Sequence, residues 1–290
     1  MLFRSAQDAT VVLRGGSPQV VPSTDGTRVD WEATLAGLDT LLLAPEPRTV
    51  EAAYVDAPAA FPTAAAEALG IREVIGEFTT GGFARDSGVN IRLAAQEIDG
   101  AVVRPGGRFS LNGYTGPRGT AQGYIESGII NNGRPDTGVG GGISQLATTL
   151  YNATYFAGMT DVAHQAHSYY ISRYPAGREA TVFQPTIDVI FENPAQTGVL
   201  IETIGTSSDI TVRIWGTKTV DVESISGGRF DFTSPSTIRL PAGDDCIASG
   251  GGQGFTTTDT RVVRAVGSGA ELSRRTTTTV YDPVPRVICA

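Results

Sequence analysis

Lysine is almost absent from this sequence, and its positive charge comes almost entirely from arginine. Lys218 is the only lysine, and 22 Lys plus Arg stand against 30 Asp plus Glu, a formal net charge of −8. A basic stripe, which nucleic-acid binding requires, is therefore missing. We expect neither DNA nor RNA as a partner.

Long apolar runs are also missing. No window of about 18 apolar residues occurs, as a membrane-spanning helix would require. The first four residues, Met1 to Arg4, lack a cationic region followed by a long apolar stretch. We expect that the chain as given neither crosses a membrane nor carries its own export signal, so membrane attachment would need a segment absent from it.

Cysteine occurs twice, at Cys246 and Cys289, in strand-like sequence near the C-terminus. An even pair in a Gly-rich and Thr-rich region favours a disulfide and an oxidising compartment outside the cytoplasm. Such a bond would close a loop of about 44 residues and stabilise the fold by roughly 4 kcal/mol. The alternative is a pair of buried free thiols.

The remaining composition indicates a folded, strand-rich α+β protein. Of the 290 residues 40% are hydrophobic, enough for a core, and 36 Gly with 16 Pro indicate many turns. We divide the chain into a small α+β domain at residues 5–73, a central mixed α/β domain at 76–203 and an all-β module at 206–290. The module's expected role is spacing or wall contact.

Local patterns support this division. Residues with helical spacing follow Asp30, a potential N-cap, and predict one helix with the apolar face Trp31, Leu35, Leu38 and Leu42. In the C-terminal module, short Val-rich and Thr-rich runs predict strands, the first at Thr211 to Trp215. Turns are predicted at Gly227-Gly228 and at Gly267-Ser268-Gly269.

The stretch from Gly138 to Tyr155 carries the clearest functional signal. Three glycines, 140–142, precede residues with helical spacing, so a helix is predicted to begin where the glycines end. Backbone N–H groups of Gly141 and Gly142 could then bind an anion or an oxyanion. A phosphate loop would need a lysine after the last glycine, which is absent. A nucleophile at Ser144 or a tight turn that packs a helix on a sheet both fit.

Both histidines of the chain, His164 and His167, follow closely. One could act as a general base for residue 144. Shortly afterwards, Arg178 could bind a substrate carboxylate and Glu179 could orient a histidine. Metal binding by the histidines lacks a third ligand at suitable spacing, so no metal is expected. Packing histidines and a surface ion pair remain the structural alternatives.

Together these segments resemble the VanW family of bacterial envelope proteins over residues 76–203. The blocks that carry the resemblance are Phe78-Thr79-Thr80, Asn90-Ile91-Arg92-Leu93-Ala94-Ala95, Pro105-Gly106-Gly107-Arg108-Phe109-Ser110, Gly140-Gly141-Gly142-Ile143-Ser144-Gln145, Thr149-Leu150-Tyr151-Asn152-Ala153, His167-Ser168 and Gly177-Arg178-Glu179-Ala180-Thr181. The N-terminal domain is similar, more loosely, to a peptidoglycan-binding domain often found before VanW domains.

The resemblance implies an L,D-transpeptidase, an acyltransferase of cell-wall biogenesis that makes 3-3 peptidoglycan cross-links through a cysteine in a Gly-Gly-Gly-x-Cys-Gln motif. That cysteine falls on Ser144. The implied catalytic residues are Ser144, His167, His164 and Glu179, and the implied oxyanion or substrate contacts are Gly141, Gly142, Gln145, Arg173, Arg178 and Tyr151. Stem peptides are the implied partners, and no cofactor is implied.

Serine at position 144 predicts an inactive variant, because a hydroxyl needs a well-aligned base where a thiol is readily held as thiolate. Both an engineered exchange and natural divergence would explain it. Glu179 also differs from the aspartate that the family often has. The rival hypothesis is a non-catalytic peptidoglycan-binding envelope protein. Either protein is expected outside the cytoplasm, anchored to the membrane in its full-length form.

Overall fold

The computed structural model describes residues 3–46, 48–131, 134–243 and 246–290, and the chain divides into two compact units, residues 1–70 and 71–290. Within the described ranges, no helix has both the length and the apolar character needed to cross a bilayer. The fold is α+β with more strand than helix, as expected from the composition.

The first unit contains two antiparallel strand pairs and three short helices. Its elements are β1 Thr10–Arg14, β2 Ser17–Val21, β3 Gly26–Val29, α1 Trp31–Leu35, α2 Leu38–Leu42, β4 Tyr54–Ala57 and α3 Thr63–Ala68. Strand β1 pairs with β2, and β3 pairs with β4. Both residues of the β1–β2 turn, Gly15 and Gly16, have positive φ angles of 60° and 78°, which explains why glycines occupy it.

The single helix predicted after Asp30 is wrong, because α1 and α2 are separate helices that are divided at Gly37. Asp30 does cap α1, since its carboxylate accepts the N–H of Ala33 at 3.0 Å. Gly37 is a poor helix former and has φ −107°, outside the helical range. The apolar side chains of this segment are not core, and Trp31 is 67% exposed.

The first part of the second unit contains a central antiparallel sheet, a smaller sheet and the helices between their strands. In chain order they are β5 Glu73–Gly81, α4 Arg85–Ile98, β6 Val102–Val103, β7 Arg108–Ser110, α5 Leu111–Thr115, β8 Glu126–Asn131, β9 Arg134–Val139, α6 Ser144–Phe156, β10 Thr160–Ala163, β11 Ile190–Glu192, β12 Val199–Gly205 and β13 Asp209–Gly216. The central sheet has the order β5-β13-β12-β6, and a smaller sheet has the order β10-β11-β7.

Helix α6 lies at the centre of this unit and packs against β5 and β13. Every residue from Gln145 to Tyr155 is buried, so the helix is covered on all sides and not only on its apolar face. Helix α4 packs on β12 and also contacts α6. Because α6 has no solvent face, its polar side chains must find hydrogen-bond partners inside the protein.

The rest of the second unit is all β. Its strands are β14 Val220–Thr233, β15 Thr237–Leu240, β16 Ser249–Gly252, β17 Gly254–Ala265, β18 Glu271–Tyr281 and β19 Val284–Cys289. They form two three-stranded sheets, β14-β17-β18 and β15-β19-β16. The predicted disulfide is confirmed: Cys246 and Cys289 are bonded, with their Cα atoms 6.0 Å apart.

Two predictions for this region differ from the structure. The segment Thr211 to Trp215 lies in β13 of the central sheet, between β5 and β12, and not with the strands that follow it. Residues Gly227-Gly228 form no turn, because β14 continues through them as a bulge opposite β17. The turn predicted at 267–269 is confirmed and joins β17 to β18.

Candidate functional site

The glycines before α6 are required by close packing. Gly140 and Gly142 have φ angles of 77° and 91°, which other residues rarely adopt. A Cβ on Gly142 would lie 2.5 Å from the Cβ of Ser87 in α4, and a Cβ on Gly141 would overlap the carbonyl of Ser127 in β8. The loop thus holds the start of α6 against α4 and β8, as the structural alternative for this turn anticipates.

Part of the loop's hydrogen-bonding capacity is already used. The N–H of Gly140 donates to the carbonyl of Ile125 at 3.0 Å, and the N–H of Gly141 to that of Gly138 at 3.1 Å. Among the described residues, the N–H groups of Gly142, Ile143 and Ser144 have no acceptor. These three, at the positive end of the helix dipole, are the donors left for an anion. Gly141, a predicted oxyanion donor, is already occupied.

Ser144, the first residue of α6, is half-buried and bonded to the segment at residues 178–182. Its hydroxyl lies 3.0 Å from the hydroxyl of Thr181 and accepts the N–H of Val182 at 3.2 Å. In the described part of the chain no hydrogen bond joins Ser144 to either imidazole. The hydroxyl therefore has a packing role in this structure.

Ser144 is the first of three polar side chains with a spacing of four residues that hold this segment along α6. Thr148 accepts the N–H of Ala180 at 3.1 Å and donates to its carbonyl at 2.9 Å. Asn152 donates to the carbonyl of Arg178 at 2.7 Å. Four helical residues advance about 6 Å and two extended residues about 6.6 Å, so the two repeats match. We call these three residues the α6 ladder.

His167 and Glu179 form a buried pair. The Nδ1 atom of His167 lies 2.7 Å from Oε2 of Glu179, and the two residues are only 5% and 1% exposed. The imidazole also stacks on Tyr174, with 5.4 Å between the ring centroids. A carboxylate on Nδ1 fixes the tautomer and leaves Nε2 as the acceptor, which is the arrangement of a general base.

His164 lies in a second, more exposed cluster. Its Nδ1 atom is 2.8 Å from Oδ2 of Asp161, and its ring stacks on Tyr151 with 4.2 Å between centroids. Burial, and to a lesser extent the charge of Asp161, raises the pKa of Tyr151. Tyr151 follows Ser144 by two helical turns, about 10 Å, so this cluster lies farther along α6.

A chain of polar contacts links the residue after Ser144 to His167. Gln145 donates to the carbonyl of Gly81 at 2.9 Å and accepts Nε–H of Arg173 at 3.0 Å. Arg173 also lies over the ring of Tyr174, the stacking partner of His167. Burial raises the pKa of Tyr174 to about 12, against the opposing influence of Arg173.

Arg178 is held inside the protein and points away from Ser144. Its guanidinium donates to Oδ1 of Asn152 at 2.6 Å and lies 3.5 Å from Asp259 in β17. Asp259 also accepts the hydroxyl of Tyr155 at 2.6 Å. Arg178 thus connects α6 to the sheet β14-β17-β18, which we call the C-terminal sheet. Because Asn152 is about 12 Å from Ser144 along the helix, Arg178 does not reach the start of α6.

The geometry thus groups these predicted residues into four places: the helix start with Ser144 and Gln145, the buried pair His167 and Glu179, the internal cluster of Arg178, and the cluster of His164 with Tyr151. Among the described residues, no group of three or more His, Cys, Asp or Glu side chains is placed to hold a metal ion.

Residues 86–215 match the family model described as "VanW like protein". This segment is a VanW-like domain. Residues 3–51 match a second model, described as "Putative peptidoglycan binding domain". Both matches confirm the resemblance found in the sequence, with somewhat different boundaries.

Two curated proteins are similar to this chain. The uncharacterized protein YoaR of Bacillus subtilis is 40% identical over 112 residues, 39% of this chain and 37% of YoaR. The vancomycin B-type resistance protein VanW of Enterococcus faecalis is 24% identical over 156 residues, 51% of this chain and 50% of VanW. The matches span at most about half the length of these relatives. No solved structure matches the chain.

Several residues that form the site were not predicted from the sequence. Thr181, Thr148 and Asn152 lie inside the VanW-like domain; Thr181 bonds the Ser144 hydroxyl, and Thr148 and Asn152 satisfy the backbone of Ala180 and Arg178. Asp259 and Tyr281 lie beyond residue 215, yet both reach side chains of the domain. The four-residue spacing of Ser144, Thr148 and Asn152 was a usable signal, whereas nothing local marks Asp259 or Tyr281.

Proposed function

We propose that this protein binds peptidoglycan in the cell envelope and that its VanW-like domain recognises stem peptides without turning them over. The match of residues 3–51 to a peptidoglycan-binding family and the VanW-like domain support the partner. The observation that carries the absence of turnover is the Ser144 hydroxyl, which is bonded to Thr181 and Val182.

The chemistry of serine supports the same conclusion. A hydroxyl becomes a nucleophile only when a base removes its proton during attack, and this requires a base in hydrogen-bonding contact. In the described chain, Ser144 instead contacts a second hydroxyl, which is a poor base. The N–H groups of Gly142, Ile143 and Ser144 can still bind a carboxylate or a peptide carbonyl.

The disulfide between Cys246 and Cys289 supports a location outside the cytoplasm, because such bonds persist in oxidising compartments. Peptidoglycan lies in the same compartment. The proposed location and the proposed partner therefore agree.

Sedimentation with purified peptidoglycan tests the binding function. We expect wild type and Ser144→Ala to sediment equally with intact sacculi, and both to sediment less with sacculi from which an amidase has removed the stem peptides. Equal sedimentation with both preparations would contradict stem-peptide recognition. No sedimentation with either would contradict peptidoglycan binding altogether.

A second candidate function is acyl transfer by a form of this domain with cysteine at position 144. The buried His167–Glu179 pair favours it, since a fixed imidazole can carry protons. The thiolate would attack an amide carbonyl of the donor stem peptide, and the C–N bond would break as the amine leaves with a proton from the imidazole. An acceptor amine would then attack the thioester and give its proton to the imidazole, which releases the cross-linked product and restores the thiolate.

Introducing a thiol at position 144 tests this candidate. We expect Ser144→Cys, incubated with stem peptides, to gain the mass of an acyl group or to release a cross-linked dimer. Ser144→Ala and wild type are the matched controls and should gain nothing. A folded Ser144→Cys protein that forms neither product would exclude transfer at this position.

A further inference from the structure

Glu179 is buried and only half satisfied. Its Oε2 atom lies 2.7 Å from Nδ1 of His167, while Oε1 has no hydrogen-bond partner among the described residues, and Glu179 is 1% exposed. A buried carboxylate oxygen without a donor is costly, so a nearby donor should stabilise it. The residues packed around Glu179 are the place to look for one.

Tyr281, the last residue of β18, supplies a hydroxyl at this position. It is 1% exposed, and its oxygen accepts the N–H of Gly177 at 2.9 Å, two residues before Glu179. A phenol that accepts one hydrogen bond still has its own proton to donate. Burial first, and then the charge of Glu179, raises the pKa of Tyr281, in agreement with a carboxylate close to the phenol.

The backbone holds the two segments together at a second point. The N–H of Asp282 donates to the carbonyl of Ser168 at 2.7 Å, directly after His167. The end of β18 thus contacts the chain beside both members of the His167–Glu179 pair. Tyr170 adds a ring contact, with 5.6 Å between its centroid and that of Tyr281.

We propose that Tyr281 is a positioning residue, which holds the Glu179 carboxylate and through it the tautomer and orientation of His167. This extends the VanW-like site to a tyrosine that lies 66 residues beyond the family match, which ends at residue 215. The proposal depends on the second candidate function in one respect only, the role of His167 as the group that carries protons. The geometry of the pair exists with or without turnover.

Nitrogen NMR of the two imidazoles tests the proposal on the intact chain. Because the chain has two histidines, a protein labelled with [15N]histidine gives two ring systems, and His164 is the internal reference. In wild type we expect a downfield Nδ1 proton for His167 that exchanges slowly with water. In Tyr281→Phe we expect this exchange to accelerate about tenfold or more, as the loss of one hydrogen bond to a charged group predicts.

The matched control is Tyr155→Phe. It removes a buried hydroxyl that binds Asp259 at 2.6 Å, also between α6 and the C-terminal sheet, but not at Glu179. We expect its His167 proton to exchange as in wild type. An unchanged rate in Tyr281→Phe, or an equal acceleration in Tyr155→Phe, would overturn the proposal, the latter because it would show a general loosening of the sheet.

A reciprocal measurement decides the question even if Tyr281→Phe does not fold. In protein labelled with [13Cζ]tyrosine, Glu179→Gln removes the negative charge beside the phenol, so the Cζ signal of Tyr281 should move from its wild-type position at neutral pH, where the phenol is not ionised. An unchanged Tyr281 signal would show that the two groups are not coupled. Neither experiment involves peptidoglycan, so failure of the proposed function and failure of this inference are distinguishable.

Discussion

At the scale of single residues, Ser144 is defined by its place in the α6 ladder. Ser144, Thr148 and Asn152 hold the backbone of the segment at residues 178–182 along a helix that has no solvent face. Serine therefore does at this position what threonine does one turn later. The Ser144 hydroxyl therefore has a structural role of its own, because its hydrogen bond helps to hold this segment against α6.

The ladder predicts unequal costs for removing its hydroxyls. Thr148→Val keeps the shape but leaves both the N–H and the carbonyl of buried Ala180 unpaired, so we expect the free energy of unfolding to fall by roughly 2–4 kcal/mol. Ser144→Ala loses two half-buried bonds, to Val182 and Thr181, and should cost about 1–2 kcal/mol. Urea unfolding measures both.

The control for this comparison is Thr276→Val, the same substitution at an exposed threonine of β18 that is bonded to Thr260. We expect a change within about 0.5 kcal/mol. A Thr148→Val protein as stable as the control would show that the ladder contributes nothing to folding.

The sequence predicted a contact between Glu179 and a histidine, but not the side chains that meet Ser144 and Arg178. Position 144 was recognised because glycines precede it and a helix follows, and both signals are local. Thr181 lies 37 residues away in a segment without regular secondary structure, so no periodicity indicates that it meets Ser144. Arg178 was expected at a substrate carboxylate, and the structure instead pairs it with Asp259, 81 residues further on.

At the scale of elements, the start of α6 is set by its contact with α4. The glycine run predicted where α6 begins, because glycine ends one pattern and helical spacing begins the next. It did not show that Ser87 of α4 fills the space above Gly142. That contact is between elements, and only the folded structure contains it.

This contact predicts that Gly142→Ala is far more harmful than an alanine at a comparable open glycine. Both Gly142 and Gly106 have positive φ, but no atom of the described residues lies within 4 Å of a Cβ on Gly106. We expect Gly106→Ala to cost about 1–2 kcal/mol from its backbone alone. Gly142→Ala adds an overlap with Ser87 and should cost roughly 3 kcal/mol or more.

Denaturant unfolding of the two alanine variants gives the comparison directly. Similar losses in both would mean that α4 and α6 separate easily at this point, contrary to the packing described here. The element boundaries elsewhere show the same limit of sequence reasoning. Gly37 divides a helix that its apolar spacing predicts to be continuous, whereas Gly227-Gly228 only bends a strand that was predicted to turn.

At the scale of the whole molecule, buried tyrosines link separate elements of the second unit to one another. Tyr155 and Tyr281 connect α6 and the Glu179 segment to the C-terminal sheet, and Tyr174 covers His167. Burial is the largest cause of the raised pKa of each. Ionisation of these phenols therefore opposes folding.

These raised pKa values make the free energy of unfolding fall at alkaline pH. A pKa that is higher in the folded state contributes stability that is complete below about pH 10, the unfolded value, and is lost as pH rises towards the folded value. For Tyr174, folded pKa about 12, the loss is about 1.4 kcal/mol per pH unit between these values. We expect the urea midpoint to fall steeply above pH 10 and Tyr174→Phe to reduce the slope.

Tyr114→Phe is the control for this prediction, because the ring of Tyr114 lies at the surface with 47% exposure. Its unfolding midpoint should follow wild type across the alkaline range. A wild-type midpoint that stays level to pH 11 would show that the buried phenols ionise without opening the fold.

The disulfide determines which fragments stay attached after a protease cuts the C-terminal region. The covalent ring that runs from Cys246 to Cys289 encloses β17, the exposed turn at Gly267–Gly269 and β18 with Tyr281. A cut at that turn would leave two fragments tied by sulfur, and the strand that carries Tyr281 would stay attached. Only a nick followed by reduction would release it.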